Sequence, residues 1–383
     1  MARTLKSDRT LFVLTLLLVG VSVVMVYSAS SVQAMNRFNV PYYFLYKQLA
    51  WAVIGFVAMF AAMRFDYHRL RNPAVIWTLI GVTTCALLMV FLSPRINGTQ
   101  RWLYFKFFSL QPSELAKLSV ILFSAAVLER RMHRIGDVVY ALAPVALLTT
   151  VFAGLVILEP DFGTAVSIVM IAVALMYAAG LRYWHLATVV LVTAPVATLL
   201  IVLKTYRLRR ILAFLHPEDT KLSDGFQLYQ SLLAIGSGGP IGRGLGASVQ
   251  KLFYLPEAHT DFIFSIIGEE LGLVGTTVIL AAFALLAWRG LRVALLAPDR
   301  FGSLIAIGVT MMIAVQALLN ITVVTGLAPT KGLPLPFVSN GGSSLLINMI
   351  AMGVLLNISQ QSSATASASI PRATDWTLRG QEA

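Results

Sequence analysis

Carboxylates placed where charge is hard to keep are the first chemistry visible in this chain. Asp261, in Tyr254-Leu255-Pro256-Glu257-Ala258-His259-Thr260-Asp261-Phe262, closes a long polar segment just before an apolar run. The partly apolar surroundings of such a junction raise a carboxyl pKa, as a general base requires, although the position equally suits a helix cap. Glu114 and Lys117, in Gln111-Pro112-Ser113-Glu114-Leu115-Ala116-Lys117, are three apart and share a helix face at membrane depth. Charges there are costly, and are paired or used. Glu269 and Glu270 form a second intramembrane acidic pair, about two turns into the helix after Asp261. In Glu159-Pro160-Asp161-Phe162-Gly163-Thr164, Asp161 suits the cap of the next helix, whereas Glu159 has no such role.

Cations make the complementary half of the pattern. Arg95, Arg101 and Lys106 crowd one short segment beside Trp102, an interfacial aromatic, and Lys204, Arg207, Arg209, Arg210, Lys221, Arg243 and Lys251 occupy a long one. Cations clustered beside aromatics at a membrane boundary suit a polyanionic ligand such as pyrophosphate on a lipid. Thr205–Leu215 alternates apolar and basic residues at helical spacing, as in a helix lying in the interface plane. The glycines at 236, 238, 239, 242, 244 and 246 expose backbone to phosphates, but lack the spacing and preceding strand of a nucleotide loop. Gln316 and Asn320, four apart, suit interhelical hydrogen bonds, and the donors of Lys331–Ser344 could face an anion at a helix start.

The elements that must position these residues are apolar. Only 12% of the 383 residues are charged while 58% are hydrophobic, an excess that belongs in lipid. Ten stretches are long enough to span: Leu11–Ser28, Leu45–Met63, Ala74–Ser93, Pro112–Leu128, Val138–Leu158, Phe162–Gly180, Leu186–Leu203, Phe262–Trp288, Gly302–Leu327 and Ser343–Ile358. The expected fold is an all-α polytopic membrane protein of about ten transmembrane helices. Residues 1–360 form its single domain, with a large extracytoplasmic loop at about 204–261, and 361–383 a disordered cytoplasmic tail. Basic residues in short loops stay cytoplasmic, which places both termini inside and the two exceptional cation clusters outside. The net charge of +12 is then a matter of lipid head groups, and no nucleic-acid partner is expected. Cys85 is the one cysteine, so no intrachain disulfide forms. No internal repeat of the kind found in transporters is visible.

Seven strings, in order, resemble the SEDS family (shape, elongation, division and sporulation): NGTQRW, QPSELAKL, EPDFGT, RLRRILAFLHPED, FQLYQSLLAIGSGG, GRGLGASVQKLFYLPEAHTDFIFSIIGEELGLVG and GLPLPFVSNGGSSL. The resemblance covers about residues 10–358, and 206–275 look more like the division branch than the elongation branch. Asn340, Phe226 and His216 depart from the family's usual Tyr, Tyr and Asp. The resemblance implies a peptidoglycan glycosyltransferase of the bacterial plasma membrane that polymerises lipid II on its outer face, at the septum. Asp261 matches the catalytic carboxylate, and Trp102, Glu114 and Lys117 match functionally important positions. Arg95, Arg101, Lys106, Lys117, Arg210, Arg243 and Lys251 are candidates to hold the departing pyrophosphate, and His259 stands beside the base. A divalent cation (Mg2+ or Mn2+) could share that charge, though no ligand cluster has diagnostic spacing. Implied partners are lipid II, membrane lipids, a class B penicillin-binding protein and other divisome proteins. The alternative activities are a lipid II flippase and the elongation-type polymerase.

Overall fold

The computed structural model describes residues 7–95, 100–105, 108–134, 137–182, 184–185, 205–215, 218–220, 222–223, 225–252 and 254–368, with isolated positions between 191 and 203. The helices are α1 (Arg9–Phe38), α2 (Tyr43–Arg64), α3 (Pro73–Val90), α4 (Pro112–Arg131), α5 (Val138–Leu158), α6 (Phe162–Ala178), α7 (Thr205–Leu215), α8 (Phe226–Gly238), α9 (Ile263–Leu296), α10 (Arg300–Val324) and α11 (Gly342–Ala368). Six of the described helices, α1, α2, α3, α9, α10 and α11, are long and apolar enough to cross a membrane, so the chain is a multi-pass membrane protein. Shorter apolar helices cover Leu142–Leu158 and Phe162–Ala178. The stretch expected at Leu186–Leu203 lies largely outside the described residues, as do Lys106, Lys204, His216 and Lys221.

Helix starts follow local chemistry. Asp8, Asp137, Asp161 and Asp299 each accept a first-turn backbone N–H, and proline opens α3 and α4, where no amide hydrogen is needed. Around the central α4 pack α3, α5, α6 and α10. Most of α4 is therefore buried, including Glu114 and Lys117, which explains how a core helix can read as polar. Beside this group α1 packs on α2 and α9, and α2 packs on α11, which is itself largely buried.

Three features depart from the expected loops and all-α fold. Leu103–Tyr104 and Ser109–Leu110 form a two-stranded antiparallel hairpin ahead of α4. The glycine-bearing segment starts as helix α8, because Phe226–Gly238 carries apolar residues at helical spacing. At the C-terminus α11 runs on to Ala368, past the boundary expected at residue 360. In α7, Leu208, Leu212 and Leu215 leave an uncovered apolar stripe at i, i+4 and i+7, the form of a helix resting on lipid.

Inside α9 the backbone breaks at Gly272, whose φ is 64°. A Cβ there would stand 2.3 Å from the Gly242 nitrogen, and one on Gly242 (φ 87°) would stand 2.2 Å from the Glu270 oxygen. Two glycines in close contact thus let the 239–246 loop fold onto the helix. The loop's backbone then satisfies the break, with Arg243 and Gly244 amides donating to the carbonyls of Glu269 and Glu270, each at 3.0 Å.

Candidate active site

Asp261 sits one residue before the Phe262 cap position of α9, and no side chain caps that helix. Its carboxylate takes no hydrogen bond from the described residues, so unlike the capping aspartates it remains available. Its backbone carbonyl is fixed instead, by the Asn320 amide at 2.7 Å, and the same amide reaches the Leu333 carbonyl at 2.6 Å. One turn earlier on α10, Gln316 donates to the Pro334 carbonyl at 2.9 Å. The pair expected to bridge helices thus binds the 331–337 loop to α10 beside Asp261. Ser339 adds another tie, donating to the Thr260 carbonyl at 2.6 Å.

These ties hold open a cavity of about 480 Å³. Asp261 keeps part of its surface toward that space while protein surrounds its other sides. Arg101, Arg210 and Lys331 bring positive charge to its wall, and Trp102, Gln111 and Asn340 add stacking and amide groups. Gly332 forms the floor between base and cation, since a Cβ there would lie 3.0 Å from Asp261 Oδ2 and 3.6 Å from Arg101 Nη1. Arg101 is anchored by donating from Nη2 to the Pro160 carbonyl. Arg210 donates to the Thr330 carbonyl at 3.3 Å. Lys331 stands 5.0 Å from the centre of the Phe162 ring.

Burial, with the Glu257 carboxylate nearby, pushes the Asp261 carboxyl up to about 7, against the opposing pull of Arg101 and Arg210. Burial likewise lowers the pKa of Lys331, opposed by Asp161, so this cation meets the cavity with a weakened hold on its proton. Next to them Glu159 is fully buried, and neither of its oxygens has a partner among the described residues. Burial and the Asp161 charge push it up to about 8, with Arg101 opposing. Asp161 itself caps α6, accepting from the Thr164 amide at 3.3 Å and hydroxyl at 2.8 Å, and it accepts from Gln111 at 3.1 Å.

The structure divides the predicted site residues into groups. Asp261, Arg101, Trp102 and Arg210 line one cavity. Glu114 and Lys117 lie behind it as a buried pair at 2.9 Å, and they reach it through partners. Lys117 donates to Gln316 at 2.5 Å, and Glu114 accepts from Ser344, a wall residue, at 3.2 Å. His259 is buried against Phe44, ring centres 4.6 Å apart, with its pKa lowered by burial. Arg95 is exposed. Arg243 and Lys251 stand elsewhere. Lys251 donates to Glu270 at 3.0 Å and to Ser28 at 3.2 Å, while Arg243 lies 3.5 Å from Glu269. Lys331 and Asn340 lie in the segment whose donors could face an anion, and Gln111 in the string of Glu114 and Lys117, but none of the three is among the predicted site residues. The available signal was a lone lysine between prolines and glycine, and amides inside already suspect strings. Among the described residues no three of His, Cys, Asp and Glu gather as metal ligands.

The FTSW_RODA_SPOVE family model, described as a cell cycle protein, matches residues 8–364. A probable peptidoglycan glycosyltransferase FtsW of Geobacter metallireducens is 44% identical over 94% of this chain and 96% of its own. Stage V sporulation protein E of Bacillus subtilis is 42% identical over 93% of this chain and 97% of its own. Among solved structures, a chain of a peptidoglycan synthase complex that coordinates polymerization and crosslinking matches with a TM-score of 0.77. It is 28% identical, covering 94% of this chain and 99% of that one. The rod shape determining protein RodA of Thermus thermophilus matches with a TM-score of 0.68, also at 28% identity, covering 94% of this chain and 98% of that one. A match of this extent to the model and to relatives above 40% identity means that the chain belongs to the FtsW, RodA and SpoVE family, the SEDS family that its motifs resemble.

Proposed function

We infer that this chain, a peptidoglycan glycosyltransferase of the SEDS family, polymerises lipid II into glycan strands with Asp261 as general base. The observation that carries the reading is one unpaired carboxylate, poised near neutrality, opening into a cavity walled by Arg101, Arg210 and Lys331. The 4-hydroxyl of an acceptor GlcNAc attacks the anomeric carbon of a donor MurNAc. As the new C–O bond forms, the hydroxyl proton passes to Asp261. The bond from the anomeric carbon to phosphate breaks with its electron pair on oxygen, so undecaprenyl pyrophosphate leaves and an α-linked donor becomes a β-linked product. Negative charge grows on the leaving oxygen, and the three cations are placed to stabilise it. Lys117 acts behind this wall through Gln316 and the Pro334 carbonyl, as a positioning residue for the 331–337 loop.

The basic bias of the short loops supports an extracytoplasmic cavity with both chain ends in the cytoplasm. Similarity to FtsW relatives supports septal cell-wall synthesis, and the solved synthase complex supports pairing with a cross-linking class B penicillin-binding protein. The test uses purified wild type and Asp261→Asn with that partner and fluorescent lipid II. Glycan yield should fall by about two to four orders of magnitude in the variant. Equal yields would remove Asp261 from the chemistry. Undiminished lipid II flux into sealed vesicles by the variant would instead favour transport.

A further inference from the structure

A second cavity, of about 330 Å³, opens where α1 begins and where α9 and α11 approach their ends. At about 1.5 Å per residue, Arg289 lies roughly 40 Å along α9 from the Asp261 end, so the two cavities occupy opposite ends of the bundle. Asp8 is already committed here. Its carboxylate caps α1 through the Thr10 and Leu11 amides, at 3.0 and 3.1 Å, and accepts from Arg289 Nε and Nη2 at 3.1 and 2.5 Å. Arg9 and Arg292 line the same cavity, are exposed, and have no ion pair or hydrogen bond among the described residues. With three guanidiniums against one carboxylate the cavity carries a net positive charge, and the hydroxyls of Ser7 and Thr10 add donors, whereas that of Ser362 is spent on the Ser359 carbonyl at 2.8 Å.

Basic inner loops follow from membrane insertion, but insertion alone does not require two unpaired guanidiniums to share a cavity between helices. The lip of this cavity is apolar. Leu296 on its rim is 59% exposed, and beyond it Leu295 on α9 and Val13, Leu16 and Leu17 on α1 are uncovered. A soluble anion would make no use of that lip, whereas an amphiphile would use both parts. Basic pockets between membrane helices suit lipid head groups, and paired guanidiniums suit phosphate oxygens. We propose that this cavity binds the phosphate head group of an anionic membrane lipid, held by Arg9 and Arg292, with its acyl chains along the apolar faces of α1 and α9.

The test titrates the purified full chain, in neutral detergent, with phosphatidylglycerol, phosphatidylcholine or inorganic phosphate in separate arms, counting retained ligand by native mass spectrometry. Wild type should retain one phosphatidylglycerol. Arg9→Gln with Arg292→Gln should weaken that retention about thirtyfold while glycan synthesis at the opposite end is unchanged. Arg9→Lys with Arg292→Lys should restore most of it, which separates lost charge from lost fold. Equal retention by wild type and the glutamine variant would overturn the proposal. So would retention of phosphatidylcholine as strong as that of phosphatidylglycerol, or inorganic phosphate occupying the site as tightly as the lipid.

Discussion

At the scale of single residues, the difference between Asp261 and the chain's other helix-start aspartates is what each carboxylate has to do. Asp8, Asp137, Asp161 and Asp299 are held by first-turn amides, whereas α9 starts without a side-chain cap and leaves Asp261 facing the cavity. Because its carboxyl is pushed up to about 7, Asp261 is protonated below neutrality and ready to act as the proposed base only above it. The kcat/KM for glycan synthesis should therefore rise with pH to a plateau, with an apparent pKa near 7. Arg101→Gln, which removes an opposing positive charge, should move that limb to higher pH, and an unmoved limb would mean that the titrating group is not Asp261. Glu159 titrates in the same range with a different consequence. Its carboxyl is raised from 4.5 to about 8, so the folded protein holds a proton that the unfolded chain releases. The stability tied to that proton is full below about 4.5 and is lost as pH climbs toward 8. Glu159→Gln should abolish this slope, so that wild type melts progressively below the variant between pH 5 and 8. Parallel melting curves would mean that a cation already compensates the charge.

At the scale of elements, the apolar runs and caps were legible because each depends on a few neighbouring residues, as the capping by Asp161 and the proline starts of α3 and α4 illustrate. The partners of the buried acids were not. Glu270 meets Ser28, 242 positions away, and Lys251, 19 positions away in the loop before α9, so no local spacing announces the group. For the same reason Lys251 and Arg243 resemble, in sequence, members of a cation cluster around the ligand, whereas the fold turns them toward Glu270 and Glu269. In the structure Lys251 pairs with a carboxylate buried within α9 and pins the 239–251 loop. Lys251→Met should cost on the order of 3 kcal/mol or more, because it leaves a buried charge without its partner. Adding Glu270→Gln should recover much of that loss, measured as thermal unfolding in detergent. A Lys251→Met protein of normal stability that cannot bind lipid II would return the residue to the ligand.

For the whole molecule, hydropathy made the membrane character plain and Pro112–Leu128 was legible as a helix, but not that this helix is the wrapped centre of the bundle. Because α4 is wrapped by α3, α5, α6 and α10, its Glu114 and Lys117 are satisfied inside the protein, and the helix need not be apolar. Sidedness depends on a different signal, the bias of arginines toward the end where α1 starts and α4 ends. Arg130, Arg131 and Arg134 stand at that end, whereas Asp261 and its cavity lie at the other. If short basic loops remain inside, the Asp261 cavity must face outward, where a substrate already carried across the membrane can reach it. Two exposed positions test this on a background in which the exposed Cys85 is replaced by serine. Leu222, 91% exposed between α7 and α8, and His133, exposed just after α4, become reporters through Leu222→Cys and His133→Cys. In intact protoplasts a membrane-impermeant maleimide should label Leu222→Cys rapidly, and His133→Cys only after permeabilisation. The opposite pattern would put Asp261 on the cytoplasmic side, away from any growing wall, and a polymerase working outside the cell could not then use it as its base.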